Sequence, residues 1–397
     1  MYNNIMFYPR KLYHKIKDYF TDPQAVIITG MRRTGKTTLL KKIFEEIPSD
    51  NKKYIDLENP ANWIHFRTEN YDKVIPSLFD GQTPTGKIYL FLDEIQNIKN
   101  LPSIVKYLID NYQVKFFLTG SVSFYLKNFF SESLSGRKFL FELSPLDFQE
   151  FLEFKQVSYK SLYSLSEKAR RKLPALVDKY SLLYREYLTY GGFPSVVLRT
   201  EEEKKKEELK DILYSYLELD VKKIIRIRKN REVEDLIKLL AIRCGNKLDI
   251  QKLASEIGIS RQTVYSYLYF LEKTYLINLI SPYSKSPDRE VSGAKKVYFI
   301  DNGLVNILAQ VSSGQLLENS VFCNLRKYGS LNYYQRRSGA EIDFILNKQI
   351  SLEVKQKGSD YDLLRLKKYS SRLKMKEYYL ITQGFLDKDK TIWSGDL

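Results

Sequence analysis

Three short runs in the first third of the chain are apolar at nearly every position: AVIIT at 25–29, KIYLFLDE at 87–94 and VKFFLTGS at 114–121. Runs of this length without alternation read as strands buried on both faces, as in a parallel sheet covered by helices. TLLKKIFEEI at 38–47 has helical spacing, so the first strand leads into a helix. From 236 the pattern is helical again, through LIKLLAIRCG, LDIQKLASEIGIS and RQTVYSYLYFLEKTYLI. Near the end, EIDFIL at 341–346 and ISLEVK at 350–355 alternate as strands around the short polar turn Asn347-Lys348-Gln349. The pattern predicts an α/β protein, and 397 residues exceed what one ordinary core organises.

Between the first strand and its helix stands Gly30-Met31-Arg32-Arg33-Thr34-Gly35-Lys36-Thr37, followed by Thr38. A G-x-x-x-x-G-K-[ST] loop in this setting wraps phosphates. Its glycines allow close backbone approach, and successive amides at a helix N-terminus present positive potential. Gly30, Arg32, Arg33, Thr34, Gly35, Lys36, Thr37 and Thr38 are therefore the candidate nucleotide contacts. The Lys36 ammonium is expected at the β- and γ-phosphates, as a catalytic group too, and the Thr37 hydroxyl at Mg²⁺. The second run delivers Asp93 and Glu94 at its C-terminal end, Asp93 for the Mg²⁺ shell and Glu94 to polarise the attacking water. A helix-start role for the two acids competes with that reading. The third run ends in hydroxyls, which sets Thr119 or Ser121 beside the γ-phosphate. ATP and Mg²⁺ are the implied ligand and cofactor.

With these residues the sequence resembles the AAA+ ATPases, in which a polar residue ending the strand after the acidic one senses the γ-phosphate. More narrowly, it resembles prokaryotic AAA+ P-loop ATPases with an AAA_14-type ATPase domain and a C-terminal domain of unknown function, DUF4143. The resemblance is carried by GMRRTGKTTLL (30–40), FLDEIQ (91–96), LTGS (118–121), LSGRKFLFELSPLDFQEFL (134–152), YGGFPSVV (190–197), KVYFIDNGL (296–304) and the acidic stretch near 341. It implies Arg137 as a reader of the γ-phosphate, within the chain or across a subunit interface. It also implies an ATPase core at 1–155 followed by a helical lid and linker at 156–235.

Within that linker, EEEKKKEELK at 201–210 sets Glu against Lys at helical spacing and reads as a solvated helix face. Gly191-Gly192-Phe193-Pro194 breaks the helical pattern and marks a turn. At 236–303, two helices meet at Gly258-Ile259-Ser260, with Ser260 placed to cap the second, and segments 275–283 and 295–301 are expected to pair as a wing. In such a winged helix the start of the second helix enters a major groove, so Arg261, Gln262 and Thr263 are the candidate DNA contacts.

If the terminal hairpin centres on Lys348, Asp343 faces Glu353 and Glu341 faces Lys355. The four share one face, and Ile342, Phe344, Leu346, Leu352 and Val354 line the other. Two carboxylates across a ladder call for a cation. Asp343, Glu353 and Lys355 resemble the D-x(n)-E-x-K arrangement of PD-(D/E)XK nucleases, and Glu318 resembles that family's additional helical acid. The resemblance implies a nuclease-like α/β domain at 304–397 and a second metal set of Glu318, Asp343 and Glu353, with Lys355 orienting water. A hairpin whose Lys355 neutralises exposed acids is the competing structural reading.

The net charge of +16 splits as +3 over 1–150, +8 over 151–285 and +5 over 286–397. The surplus after the ATPase core favours a polyanionic partner, and duplex DNA is the expected one. Cys244 and Cys323 are far apart without a CxxC or nearby His, so both are expected as buried thiols. No apolar run approaches a membrane span and the first residues lack a signal-peptide pattern, so a cytoplasmic location without membrane attachment is expected. Three functions stay open: an ATP-hydrolysing switch acting on DNA, an ATP-licensed metal-dependent DNA nuclease, and a non-catalytic nucleotide-binding regulatory protein. A homo-oligomer or a partner protein is compatible with each.

Overall fold

The three apolar runs form the middle of one parallel sheet. The computed structural model describes residues 8–121, 134–159, 162, 164–171, 174–221, 230–336 and 339–397. Two compact units emerge from its contacts, Met1–Ser144 with Lys273–Tyr275, and Pro145–Glu272 with Leu276–Leu397.

The first unit holds β1 (Ala25–Thr29), β2 (Lys52–Asp56), β3 (Ile88–Asp93), β4 (Val114–Gly120) and β5 (Lys138–Glu142), in the spatial order β2-β3-β4-β1-β5. All neighbouring pairs are parallel. Alternation along β1 sends Val26 and Ile28 into one core, with Leu39, Leu40 and Ile43 of the helix Lys36–Glu46. Ala25 and Ile27 enter the opposite core, with Leu101, Ile104, Val105 and Leu108 of the helix Leu101–Asn111. Burial on both faces is why the sequence shows continuous apolar runs instead of alternation. Phe91 of β3 and Phe117 of β4 stack at 4.8 Å between centroids and fix these two strands side by side.

The second unit begins with helices. Asp147 and Glu150 close a capping box at the start of Phe148–Phe154, and Pro174–Tyr190 and Glu202–Tyr216 follow. Residues named in the sequence explain how this region is held. The Gly191-Gly192 turn docks on Asp301, whose Oδ2 accepts from Gly192 N at 2.6 Å and whose Oδ1 accepts from Gly303 N at 2.8 Å. A Cβ on Gly191 would lie 2.0 Å from Asp301 Oδ1, and its φ of +74° also demands glycine. The motifs YGGFPS and FIDNGL therefore serve each other structurally. Glu201 with Lys204 and Glu203 with Lys206 pair on the surface as the charged run suggested. Lys205 departs from that expectation: it is buried, bonds Glu186 at 2.6 Å and lies over the Tyr190 ring.

The helices Ile250–Ile257 and Arg261–Lys273 meet at Gly258 in left-handed conformation, and Ser260 Oγ accepts from Thr263 N at 3.1 Å as the expected cap. An antiparallel pair follows, β6 (Ile277–Ile280) with β7 (Lys296–Phe299), joined by a segment that contains a short helix, Pro287–Ser292. The last sheet has the order β12-β11-β10-β9-β8, from β8 (Leu331–Gln335), β9 (Glu341–Leu346), β10 (Ile350–Lys355), β11 (Glu377–Thr382) and β12 (Thr391–Trp393). Its hairpin β9/β10 is antiparallel with the expected register, Phe344 opposite Leu352, while β10, β11 and β12 run parallel. Cys244 is buried as expected, whereas Cys323 is half-buried. Among the described residues no helix is long and apolar enough to cross a membrane.

Candidate functional site

The phosphate-binding motif occupies the C-terminal edge of the first sheet. Gly30 follows β1 with a φ of +147°, and a Cβ there would sit 2.3 Å from the Leu143 carbonyl oxygen. Gly35 stands in left-handed conformation at the start of the helix Lys36–Glu46, which no side chain caps and whose first turn holds no acidic residue. A helix start of this kind presents amides and positive potential to an anion. Lys36 is buried, and its Nζ donates to Gly30 O at 3.1 Å and Met31 O at 2.9 Å, so the ammonium curls back over its own loop. Thr34 Oγ1 bonds Met31 O, Thr37 is half-buried, and Arg33 and Thr38 are exposed. Arg10 was not identified from the sequence. Its guanidinium is buried and donates to Thr34 O at 2.9 Å and Ser144 O at 2.7 Å, which ties the loop to the end of the unit.

β4 lies between β1 and β3, so Thr119 and Ser121 stand between the loop and the acids. Strand spacing of about 4.8 Å puts the end of β1 and the end of β3 about 10 Å apart, with the β4 hydroxyls in the middle. Asp93 is buried. Its Oδ2 accepts from the Tyr54 hydroxyl at 2.8 Å and its Oδ1 accepts from Thr119 Oγ1. Burial, and then the charge of Asp93, hold the Tyr54 phenol far above its ordinary range, so it remains a donor. Glu94 adopts φ +54°, ψ +49°, a left-handed conformation that is uncommon for a residue with a Cβ and turns the chain sharply after the strand. Its carboxylate accepts from Gln96 Nε2 and from Ser121 Oγ at 3.4 Å, and Gln96 Nε2 also reaches Ser121 Oγ at 3.2 Å. The two hydroxyls thus divide the work: Thr119 holds Asp93, and Ser121 holds Glu94. Gln96 Oε1 is buried with no hydrogen-bond partner among the described residues, an acceptor left over beside Glu94.

Arg137 is not brought to this group. It precedes β5 at the opposite edge of the sheet, where its Nε pairs with Asp110 at 2.7 Å. Since Thr29 aligns with Glu142, five residues at about 3.3 Å each separate Arg137 from the level of the loop, about 17 Å. In this chain Arg137 is a carboxylate-paired side chain away from the loop, and a role toward its own chain's nucleotide is corrected.

The stretch that holds this loop and its strands matches a known family. Residues 22–152 match the family described as an AAA domain, and residues 181–315 and 313–392 match two domains of unknown function, DUF8612 and DUF4143. The uncharacterized protein MJ1544 of Methanocaldococcus jannaschii is 31% identical over 88% of this chain and 79% of its own length. The chain belongs to the prokaryotic AAA+ P-loop ATPases. An uncharacterized protein of Haemophilus influenzae is 28% identical to this AAA+ ATPase over 90% of each chain. Among solved structures, the Walker-type ATPase PABY2304 of Pyrococcus abyssi aligns with 76% of this chain and 96% of its own, at 14% identity and a TM-score of 0.47.

The second unit of the ATPase contains the acidic cluster. The β9/β10 ladder ends at Phe344/Leu352, and beyond it Asp343 Oδ2 accepts from Val354 N at 2.7 Å. Glu353 is buried and bonds Lys355 at 2.8 Å and Arg365 of the helix Asp360–Leu373. Glu341 does not pair with Lys355, as the hairpin geometry suggested, but with Lys296 of β7 at 2.5 Å. Lys296 also reaches Glu318 at 3.2 Å, and Tyr298 donates to the same oxygen at 2.6 Å. Burial, and then the charge of Asp343, push Glu318 and Glu353 up to about 7, and burial raises Asp343. Burial alone would lower Lys296, but Glu318, Asp343 and Glu341 outweigh it and hold the ammonium charged.

The neutralising cations are therefore side chains of the protein. Among the described residues no three acids, histidines or cysteines are arranged to hold a metal ion. Glu318, Asp343 and Glu353 interact electrostatically but are not disposed as the ligand set expected from the sequence. Lys296 was missed because it lies in the motif KVYFIDNGL, where its strand gives no sign that the tail's acids will fold onto it. Arg261 and Gln262 are exposed and Thr263 half-buried at the start of their helix.

Proposed function

We propose that the chain is an ATP-hydrolysing switch that acts on nucleic acid. The observation that carries this reading is the adjacency, on three neighbouring strand ends, of the phosphate loop, the hydroxyls of Thr119 and Ser121, and the acids Asp93 and Glu94. Gly30, Arg32, Arg33, Thr34, Gly35, Lys36, Thr37 and Thr38 form the nucleotide-binding set. The uncapped helix start and the paired glycines fit a polyphosphate, and the hydroxyl and carboxylate of Thr37 and Asp93 are the hard oxygen donors that Mg²⁺ takes. Mg²⁺ held there supplies charge neutralisation to the β- and γ-phosphates.

The residues of the chain do the rest. Lys36 leaves the loop carbonyls to meet the phosphate charge. Glu94 and the unused acceptor Gln96 Oε1 take the hydrogens of the attacking water, with Ser121 keeping the carboxylate in place. Thr119 and Tyr54 fix Asp93 in one orientation, and Arg137 serves a neighbouring subunit if the protein assembles.

We read residues 1–155 as the ATPase core, 156–235 as lid and linker, 236–303 as a winged helix and 304–397 as a nuclease-like binding domain. The exposed Arg261 and Gln262, with Thr263, form its duplex contact, supported by the basic surplus of that region. The cations paired to Glu318 and Glu353 favour binding over cleavage. Phosphate release measured with and without duplex DNA tests the proposal. Wild type should turn over ATP, faster with DNA, and Glu94→Gln should lose at least about 100-fold while still binding ATP. Unchanged release in Glu94→Gln would remove the hydrolytic reading.

A further inference from the structure

The second unit contains a cleft that none of the preceding chemistry uses. It opens beside the short helix Pro287–Ser292 and the first strand of the last sheet, with a volume of about 700 Å³. Chain 281–283 runs along β8, where Tyr283 N donates to Tyr333 O at 2.6 Å and Tyr333 N donates to Ser281 O at 3.2 Å. These bonds bring the end of the β6 strand and the edge of the C-terminal sheet together as one wall.

Five cations line the cleft, Lys247, Lys285, Arg289, Arg336 and Arg372, and no carboxylate does. All five are exposed, and among the described residues none of them forms a salt bridge. Lys204, Lys206, Lys348 and Lys388 of the same unit, by contrast, each pair with an acid within 3.1 Å. Five like charges around one concavity repel one another, and the fold leaves them uncompensated. Such an arrangement binds anions, and guanidinium forks match phosphate oxygens in pairs.

The remaining lining separates a nucleic acid from other anions. Tyr283 and Tyr334 are half-buried and packed against the cluster of Ile342, Ile345, Leu366 and Leu380, so both rings are rigidly backed. Rigid aromatic rings beside unpaired cations are the recognition chemistry of unpaired bases on a phosphate backbone. A cleft of this volume suits a small ligand or a short stretch of extended strand and does not admit the cross-section of a duplex.

We infer that this cleft binds single-stranded nucleic acid, as a second site besides the duplex contact proposed for Arg261, Gln262 and Thr263. The inference rests on the cleft alone and needs neither ATP hydrolysis nor that duplex contact. The test is anisotropy of fluorescein-labelled dT20, and of a 20-base-pair duplex, on the full chain between 50 and 200 mM KCl. Wild type should bind dT20, and Arg289→Gln with Arg372→Gln should weaken it about tenfold or more and flatten its log–log salt slope by about 1.4. Tyr334→Ala should weaken dT20 by about tenfold at any salt. Arg261→Ala with Gln262→Ala should leave dT20 untouched and weaken only the duplex, which separates failure here from failure of the duplex proposal. Because the cations are exposed, their Gln variants keep the fold, and an unchanged melting curve checks it. No dT20 binding by wild type, full dT20 affinity in the arginine variant, or stronger competition by poly-glutamate than by unlabelled dT20 would overturn the inference.

Discussion

Replacing Lys296 by Met tests the view that the acids of the second unit are balanced by an internal ammonium. Lys296 is buried, lies 2.5 Å from Glu341 and 3.2 Å from Glu318, and feels the charge of Asp343. Methionine keeps most of the volume and removes only the charge and its hydrogen bonds. Glu318 has an ordinary value of 4.5 and a folded value of about 7. An acid raised in the folded state costs stability as pH rises between those two values, and the full cost is present above the folded value. That interval corresponds to roughly 3 kcal/mol for one carboxylate titrating alone. Wild type is therefore expected to lose stability from about pH 4.5 to about pH 7. In Lys296→Met the acids ionise without their partner, which costs about 3–5 kcal/mol at pH 8. At pH 5.5 Glu318 carries its proton in both proteins, and the difference should shrink to about 1–2 kcal/mol. Trp63 and Trp393 are the two tryptophans of the chain, so in a Trp63→Phe background urea unfolding followed by fluorescence reports the second unit. Equal destabilisation at pH 5.5 and pH 8 would refute the electrostatic account and leave a packing defect.

Two further variants address the site and the family motifs. Arg10→Ala should weaken ATP binding about tenfold or more, measured by nucleotide fluorescence, because the two charge-assisted bonds that anchor the loop at Thr34 and Ser144 disappear. Retained affinity would show that the loop keeps its shape without the anchor. Gly191→Ala should destabilise the second unit by about 2–4 kcal/mol, from left-handed strain and from displacement of the Asp301 carboxylate that holds Gly192 and Gly303. A shift in urea midpoint of under about 1 kcal/mol equivalent would remove that explanation of the YGGFPS and FIDNGL motifs.

Features that depend on neighbours along the chain could be read before any fold was known. A buried parallel strand has to be apolar at every position, and a phosphate loop needs glycines and lysine at fixed spacing. AVIIT, the Gly30–Thr37 loop and the acids after β3 were therefore legible, as were the β9/β10 register and the Ser260 cap. The order of strands was not legible, because it is set by which faces pack, and only that order inserts Thr119 and Ser121 between the loop and Asp93. Arg137 illustrates the same limit: its motif suggested phosphate contact, but it precedes a parallel strand whose start lies at the edge of the sheet away from the loop. Arg10, Gln96 and Lys296 act on groups distant in sequence or turned by an unusual backbone angle, and no local pattern marks them. The tail shows most clearly what tertiary structure adds, since the carboxylates and Lys355 were visible in order but the other counter-charges arrive from β7 and the helix Asp360–Leu373. Charge balance is a property of the packed interior, where desolvation makes every partner count, and it is settled only when those elements meet.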